Sequence, residues 1–144
     1  MPDKFGYRGY VYSRPILGER IPQAVQNLVI RNYCRQNNFT YLLSATEYAM
    51  PECFMILDGV AKELEEIEGL VAYSIFMLPR DRDKRWHIYD SFNKSDCALC
   101  GAIEGIVIKN ISDAERFEQT WAVRQIAEQN LAADVQNDIE NLIS

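Results

Sequence analysis

An apolar run over residues 70–76, bounded by Gly69 and Pro79, sets the tightest limit on the possible folds. A strand with one face in water alternates apolar and polar residues, whereas this run is almost continuously apolar. Continuous apolar strands are typical of parallel sheets, in which helices cover both faces of the sheet. The run therefore predicts a central strand in a domain of the α/β class.

The segments on either side alternate between strand-like and helix-like patterns. Branched and aromatic residues followed by turn residues predict strands, and apolar positions spaced three or four residues apart predict helices. The predicted elements in chain order are a strand over 8–13, a helix from Pro22 that ends near 35–38, a strand over 39–43, a helix from Pro51 to Gly69, the central strand, a short helix over 86–92, a strand over 102–108 and a final helical segment over 112–143.

Two of these helices carry apolar stripes that predict a buried face. In the first helix the stripe consists of Val25, Leu28, Val29 and Tyr33. The final segment is compatible with one helix or with two, because charged residues interrupt its stripe. Its length exceeds what a small core needs, so we expect it to form homo-oligomers. The stripe of this segment consists of Phe117, Trp121, Ile126, Leu131, Val135, Ile139 and Leu142.

The alternation of strands and helices predicts the topology as well as the class. Parallel strands joined by helices are connected by right-handed crossovers, which place helices on both faces of the sheet. A chain of 144 residues can form one such domain with an ample core. We therefore expect a single α/β domain over residues 1–144, a three-layer sandwich with a four-stranded, mainly parallel sheet in the order 2-1-3-4, flavodoxin-like or resolvase-like.

Charge and hydropathy argue against several classes of protein. The net charge of −6 disfavours a nucleic-acid-binding protein, which usually carries a basic surface. The longest apolar run is far shorter than the roughly 20 residues that a membrane-spanning helix needs. The N-terminal residues do not resemble a secretory signal. We therefore expect a cytoplasmic protein with reduced cysteines and with no nucleic-acid or membrane partner.

In an open parallel sheet, ligands bind outside the carboxyl ends of the strands. That rule selects the loops that follow the first three predicted strands, over residues 13–23, 44–50 and 76–85. These loops are rich in arginine and hydroxyl side chains. The candidate binding residues are Arg14 and Arg20 in the first loop, Ser44, Thr46 and Tyr48 in the second, and Ser74 and Arg80 at the third, and the candidate catalytic residues are Ser13 and Glu47.

This set of side chains suits a small anionic sugar as the ligand. Guanidinium groups bind pairs of phosphate or carboxylate oxygens, and hydroxyl and carboxylate groups bind sugar hydroxyls. Glu47 would transfer a proton as general acid or base, because it is the loop carboxylate nearest to the hydroxyl side chains. The alternative is that Ser13 and Ser44 cap strand ends and that the arginines are solvated.

Motifs for cofactors and metals are weak or absent. The chain has no Walker phosphate loop and no Gly-x-Gly-x-x-Gly after its first strand, so no cofactor is predicted. Cys97 and Cys100 have the Cys-x-x-Cys spacing of a thiol-redox motif or of half a zinc site. A zinc site would need two more ligands from Cys34, Cys53 and His87, which belong to no second motif. We therefore expect a structural role for the pair and no metal.

Several blocks of the sequence resemble the bacterial "sporadic carbohydrate cluster" proteins, over about residues 8–124. Members of this family are encoded among genes for surface polysaccharides such as O-antigen or capsule. The resemblance implies a role in making or modifying a sugar, either as an enzyme or as a non-catalytic partner of another enzyme in the same pathway. The blocks are Arg8-Gly9-Tyr10-Val11-Tyr12-Ser13-Arg14-Pro15, Arg20-Ile21-Pro22-Gln23, Val25-Gln26-Asn27, Tyr41-Leu42-Leu43-Ser44-Ala45-Thr46-Glu47-Tyr48-Ala49-Met50, Val71-Ala72-Tyr73-Ser74, Leu78-Pro79, Glu104-Gly105 and Ile108-Lys109-Asn110.

A weaker likeness connects the chain with the catalytic domain of serine recombinases. Both have a first strand that ends near a serine, a Gln-rich first helix and an arginine-bearing loop after the third strand. The usual Tyr-x-Arg-x-Ser pattern is replaced here by Tyr10-Val11-Tyr12-Ser13-Arg14, so that the arginine is lost and the serine is displaced. This likeness implies a shared fold and not a shared activity.

Overall fold

The computed structural model describes residues 4–16, 18–50 and 53–143 of the chain. Its regular elements alternate between strands and helices over most of the chain. In chain order they are β1 (Tyr7–Val11), α1 (Gln23–Gln36), β2 (Tyr41–Thr46), α2 (Met55–Val60), β3 (Gly69–Ala72), a 3₁₀ turn (Ile75–Met77), α3 (Arg82–Lys94), β4 (Ala98–Gly101), β5 (Ile106–Ile108) and α4 (Ile111–Ile143).

The strands form one sheet in the order β2-β1-β3-β4-β5. The first four strands in this order run parallel, and β5 pairs with β4 in the antiparallel direction. β3 lies at the centre, and all of its residues are buried, as its apolar sequence requires. The predicted α/β class, the mainly parallel sheet and the order of the first three predicted strands are confirmed.

Helices cover both faces of this sheet. On one face, α1 contributes Ile30 and Cys34 to an apolar cluster with Val11 and Val71 of the strands. On the other face, a larger cluster joins the strands to α2, α3 and the first turns of α4, where Phe117 is buried. The layers therefore follow the arrangement that the alternation of strands and helices predicts.

Of the predicted fourth strand over 102–108, only Ile106–Ile108 is a strand, because the chain turns within the predicted segment. Residues 102–105 form a turn, in which Gly105 has a φ of 65°. The Glu104 carboxylate reaches back from this turn and accepts hydrogen bonds from the Ser74 hydroxyl (2.7 Å) and the Ile75 N–H (2.8 Å). The segment therefore forms a hairpin of β4 and β5, and the sheet has five strands instead of four.

The buried face of α1 differs from the predicted stripe. Val25 and Leu28 are 42% and 68% exposed, and Gln26 is buried instead. The Gln26 amide oxygen accepts a hydrogen bond from the Tyr12 N–H (2.9 Å), and its nitrogen donates to the Tyr12 carbonyl (2.8 Å). A polar side chain that completes the hydrogen bonding at the end of β1 thus sets the rotation of the helix.

Further boundaries differ from the predicted ones, among them β1 (Tyr7–Val11 instead of 8–13) and β2 (Tyr41–Thr46 instead of 39–43). Pro51, which is predicted to open the second helix, lies outside the described residues, and α2 is short and continues in turns up to residue 66. β3 ends at Ala72 rather than at residue 76, because the Ser74 hydroxyl caps the 3₁₀ turn that follows. α3 begins at residue 82 rather than 86, because the Asp81 carboxylate accepts hydrogen bonds from the N–H groups of its first turn.

α4 is one continuous helix of 33 residues, which settles the choice between one helix and two. Its first turns pack on the core through Phe117 and Trp121. Beyond them, Leu131, Val135 and Ile139 are each at least 46% exposed, so the predicted stripe is buried only in its first part. Within the described ranges, no helix has the length and apolar character needed to cross a membrane.

Candidate functional site

A cavity of about 660 Å³ opens at the carboxyl ends of β1 and β3. Its walls come from the segment after β1, the segment after β3 and one face of α4. The helices that follow these two neighbouring strands lie on opposite faces of the sheet, and the crevice between such strands is the usual ligand site of open α/β sheets. We call this space the arginine cavity, because Arg14, Arg20 and Arg80 line it.

Positive charge dominates the walls of the arginine cavity. Lys84 and Arg124 line it together with the three arginines, and Asp81 is the one acidic residue among the described residues that line it. One oxygen of Asp81 accepts hydrogen bonds from the first turn of α3. Arg20 and Arg80 are exposed, so their guanidinium groups can adjust to a bound molecule. An electrostatic field of this sign attracts anions.

Arg14 is the most constrained of these cations. Its guanidinium lies 4.2 Å from the centroid of the Tyr12 ring and 5.0 Å from that of Phe54. Nη1 donates to the Met50 carbonyl at 2.9 Å, whereas Nε and Nη2 are buried without a hydrogen-bond partner in the described ranges. Burying an unpaired donor costs about 1–3 kcal/mol. Arg14 is therefore held in place beside the cavity, with two donors that lack an acceptor within the described ranges.

The face of α4 beside the cavity is attached to the rest of the fold by a buried arginine. Arg85 is 3% exposed, and its Nε and Nη2 donate to the two carboxylate oxygens of Glu118, both at 2.8 Å. Its Nη1 donates to the carbonyls of Pro79 and Arg80. The same guanidinium lies 4.1 Å from the centroid of the Trp121 ring. One side chain thus holds two walls of the arginine cavity together.

The charge of Glu118 depends on this contact. Burial by itself would raise the pKa of Glu118, but the hydrogen bonds from Arg85 and from the Tyr89 hydroxyl (2.8 Å) outweigh it, so the pKa lies below its ordinary value. Burial and the bond to Glu118 in turn raise the pKa of Tyr89, which keeps its proton as a donor. Glu118 is therefore ionised and fully engaged in holding α4 to α3.

Glu47 does not line the arginine cavity. It is 2% exposed, and its carboxylate accepts hydrogen bonds from the Tyr10 hydroxyl (2.7 Å) and from the N–H groups of Ile56 and Leu57 (both 3.0 Å). Those two N–H groups belong to the first turn of α2, so Glu47 caps this helix from the end of β2. The geometry gives Glu47 a structural role.

Ser44 also makes its contacts away from the cavity. It lies within β2, and its hydroxyl donates to the amide oxygen of Asn27 on α1 (2.6 Å) and lies 2.6 Å from the Tyr41 hydroxyl. Its Oγ occupies space that a Cβ at position 9 would need, so Gly9 allows β1 and β2 to approach here. These three polar side chains tie β2 to α1.

The remaining hydroxyl residues are dispersed. Ser74 is buried, and its hydroxyl donates to Glu104 and accepts from the 3₁₀ turn. Ser13 is half-buried, Thr46 and Tyr48 are exposed, and none of the three lines the arginine cavity. Of the predicted site residues, the structure thus brings only the three arginines together in this cavity.

Cys34, Cys97 and Cys100 are buried, and Cys53 is half-buried. Burial raises the pKa of Cys97 and of Cys100 to about 12, and it also raises that of Cys34. Because the thiolate is the form that attacks disulfides or binds metals, these thiols are poorly suited to either chemistry. Across the described ranges, no three His, Cys, Asp or Glu side chains are grouped as metal ligands.

Sequence reasoning did not assign Lys84, Trp121 or Arg124 to the site, although all three line the cavity. Arg124 carried a usable signal, because it interrupts the apolar stripe of α4 and lies over the ring of Phe76, 5.0 Å from its centroid. A cation on an otherwise apolar helix face indicates a polar neighbour on that side. The others had no such signal, because which strand-end and helix residues meet depends on the packing of α4.

Comparison with known proteins supports the fold and leaves the activity open. No protein-family model matches the chain, and no curated protein matches it. A crystal structure of a resolvase-family site-specific recombinase from Streptococcus pneumoniae is similar to it, with 11% sequence identity, a TM-score of 0.57 and coverage of 96% of this chain and 99% of that chain. The predicted resolvase-like fold is confirmed, whereas the resemblance to the "sporadic carbohydrate cluster" proteins stays a prediction.

Proposed function

We propose that this chain binds an anionic sugar in the arginine cavity and acts in the biosynthesis of a bacterial surface carbohydrate, as an enzyme that modifies that sugar. The proposal that the ligand is an anion rests on Arg14, whose buried Nε and Nη2 have no hydrogen-bond partner within the described ranges. A phosphate or carboxylate group would supply the acceptors. The carbohydrate part rests on the resemblance to the "sporadic carbohydrate cluster" proteins.

The size and the construction of the cavity favour a small molecule. Ligand sites commonly measure about 300–1,000 Å³, and the cavity measures about 660 Å³. Arg14 is preorganised between two rings, whereas the exposed Arg20 and Arg80 would close on the anion from two loops. We assign these three residues to the anionic group. No proton-transfer step is assigned, because Glu47 is engaged in capping and Ser13 lies outside the cavity lining.

Replacement of Arg14 by methionine is expected to weaken anion binding about 10- to 100-fold, because a hydrogen bond to a charged group contributes about 1.5–3 kcal/mol. Methionine keeps an unbranched apolar chain against the two rings and removes the donors. Isothermal titration with inorganic phosphate and with hexose 1-phosphates measures the effect. The matched control is Arg35→Met, an exposed arginine in the last turn of α1, which should leave the affinity unchanged.

The outcomes of this titration separate the possibilities. If the wild-type protein binds none of these anions, the proposed function fails. If it binds them and Arg14→Met binds equally well, the anion lies elsewhere. An equal loss in Arg14→Met and Arg35→Met would mean that the chain attracts anions only through its general surface charge.

The exposed part of α4 favours a second candidate function, that of a non-catalytic partner of another enzyme in the same pathway. Leu131, Val135, Ile139 and Leu142 lie on one face of the helix and are exposed. Such a face can pair with a second copy of the chain or with a pathway enzyme. Light scattering measures self-association, and affinity capture from the native host measures enzyme binding. A tight protein complex together with no binding of sugar phosphates would favour this candidate.

A further inference from the structure

A second cavity of about 690 Å³ adjoins the arginine cavity and lies between α2 and α3. Its floor consists of the buried apolar side chains of Leu57, Ile88 and Phe92. Phe54, Pro79 and Lys84 line both cavities, so the two spaces share one rim. An elongated molecule that lies across this rim, beside the exposed Lys84, would reach both spaces.

The two cavities differ in the sign of their charge. Arginines line the first, whereas Asp58, Asp83 and His87 line the second. A carboxylate repels a phosphate group, but it accepts hydrogen bonds from hydroxyl and N–H groups. Lys84 lies at the boundary, where it can reach an anion in the first cavity. The second cavity therefore suits an uncharged group that is rich in donors and has an apolar surface.

We infer that the ligand of the arginine cavity is a sugar ester of a nucleoside diphosphate, with the phosphates and the sugar in the arginine cavity and the nucleoside in the second cavity. This inference rests on the proposed function and extends it to a substrate class. The base has two apolar faces for the floor of the second cavity and for the Phe54 ring. The ribose hydroxyls and base N–H groups provide donors for Asp58 and Asp83.

Other organic anions match the linings of the two cavities less well than a nucleoside diphosphate sugar does. A hexose phosphate fills only the arginine cavity and leaves the apolar floor beyond Phe54 unused. A lipid phosphate covers that floor but offers no hydrogen-bond donors to the exposed carboxylates of Asp58 and Asp83. A nucleoside meets both conditions, because it combines a flat apolar ring with hydroxyl donors.

Isothermal titration can test the inference by comparing inorganic diphosphate with uridine, thymidine, cytidine, guanosine and adenosine diphosphates. We expect at least one nucleoside diphosphate to bind the wild-type protein ten or more times more tightly than inorganic diphosphate. Ala61→Phe and Ser91→Phe, on opposite walls of the second cavity, should each remove this gain and leave the affinity for inorganic diphosphate unchanged. Ala24→Phe, an exposed alanine of α1 outside both cavities, should leave the gain intact.

The results distinguish this inference from the proposed function on which it rests. If inorganic diphosphate binds and no nucleoside diphosphate binds more tightly, the inference is overturned and the anion site of the proposed function stands. If the gain persists in both Ala61→Phe and Ser91→Phe, the nucleoside does not occupy the second cavity. If neither inorganic diphosphate nor any nucleoside diphosphate binds, both the inference and the proposed function are overturned. Circular dichroism confirms that the variants compared are folded.

Discussion

Replacement of Arg85 by methionine should lower the free energy of unfolding by about 3–5 kcal/mol, because removing one partner leaves the other charge buried and uncompensated. Glu118 would lose two hydrogen bonds of 2.8 Å, and the carbonyls of Pro79 and Arg80 would lose their donor. A loss of this size is a large part of the total stability of a typical domain. Urea denaturation followed by circular dichroism measures it.

Arg82 provides the matched control for this substitution. Its Nε lies 3.9 Å from the same carboxylate, but its side chain is 73% exposed. Exposed ion pairs contribute about 0–1 kcal/mol, so Arg82→Met should change stability by no more than that. Equal losses in the Arg82 and Arg85 variants would contradict the assignment of the buried pair as the main connection between α3 and α4.

The Arg85–Glu118 pair also predicts how the difference in unfolding free energy between the wild type and Arg85→Met changes with pH. The pKa of Glu118 is lowered in the folded protein, because the bonds from Arg85 and Tyr89 outweigh its burial. The pair's contribution is therefore complete above the unfolded pKa of about 4.3 and is lost as the pH falls through the folded pKa. The difference in unfolding free energy between the two proteins should narrow as the pH falls below about 4.3. A constant difference over this range would show that Glu118 does not depend on Arg85 for its charge.

The region of the site could be predicted from the sequence, because it follows from topology. Once the apolar run over 70–76 is assigned to a central parallel strand, the carboxyl-end rule selects the loops that carry Arg14, Arg20 and Arg80. The three arginines do line one cavity. Arginine at such a position is informative, because a long cation in a loop reaches the space above the sheet from most backbone geometries.

Hydroxyl residues were less predictable for a physical reason. A serine satisfies its hydrogen bonds with whatever polar group lies within a short reach, and in this fold those groups are structural. Ser44 turns toward α1 and Ser74 toward Glu104, which lies 30 residues away in sequence. Neither partner follows from periodicity, because each depends on how distant elements pack. Short polar side chains at strand ends therefore identify a ligand site less reliably than arginines do.

The same reasoning applies to element boundaries. The position of β5 depends on the turn that Gly105 permits, and the rotation of α1 depends on the bonds of Gln26 with the backbone at the end of β1. In each case one specific polar contact or backbone conformation overrides the average apolar pattern. The wall of the cavity that α4 supplies could not be located beforehand, because Trp121 and Arg124 lie about a hundred residues after the first arginine loop.

Glu47 provides the sharpest test of the structural interpretation of the site. Replacement by glutamine should lower the free energy of unfolding by about 3 kcal/mol, because buried donors left unsatisfied cost about 1–3 kcal/mol each. The carboxylate accepts from Tyr10, Ile56 and Leu57 through both oxygens. Glutamine offers one acceptor, and its NH₂ group would face donors. Thermal and urea unfolding measure the loss.

Ligand binding then separates capping from catalysis. If Glu47 is a capping residue, folded Glu47→Gln should retain the wild-type affinity for anions within about twofold, because its carboxylate lies outside the arginine cavity. Glu65→Gln, at an exposed position after α2, is the control and should change stability by less than about 0.5 kcal/mol. A Glu47→Gln protein that is as stable as the wild type, binds the sugar normally and no longer supports polysaccharide formation would instead make Glu47 the proton-transfer residue. Stability decides between the two roles because the carboxylate that caps α2 already uses both of its oxygens.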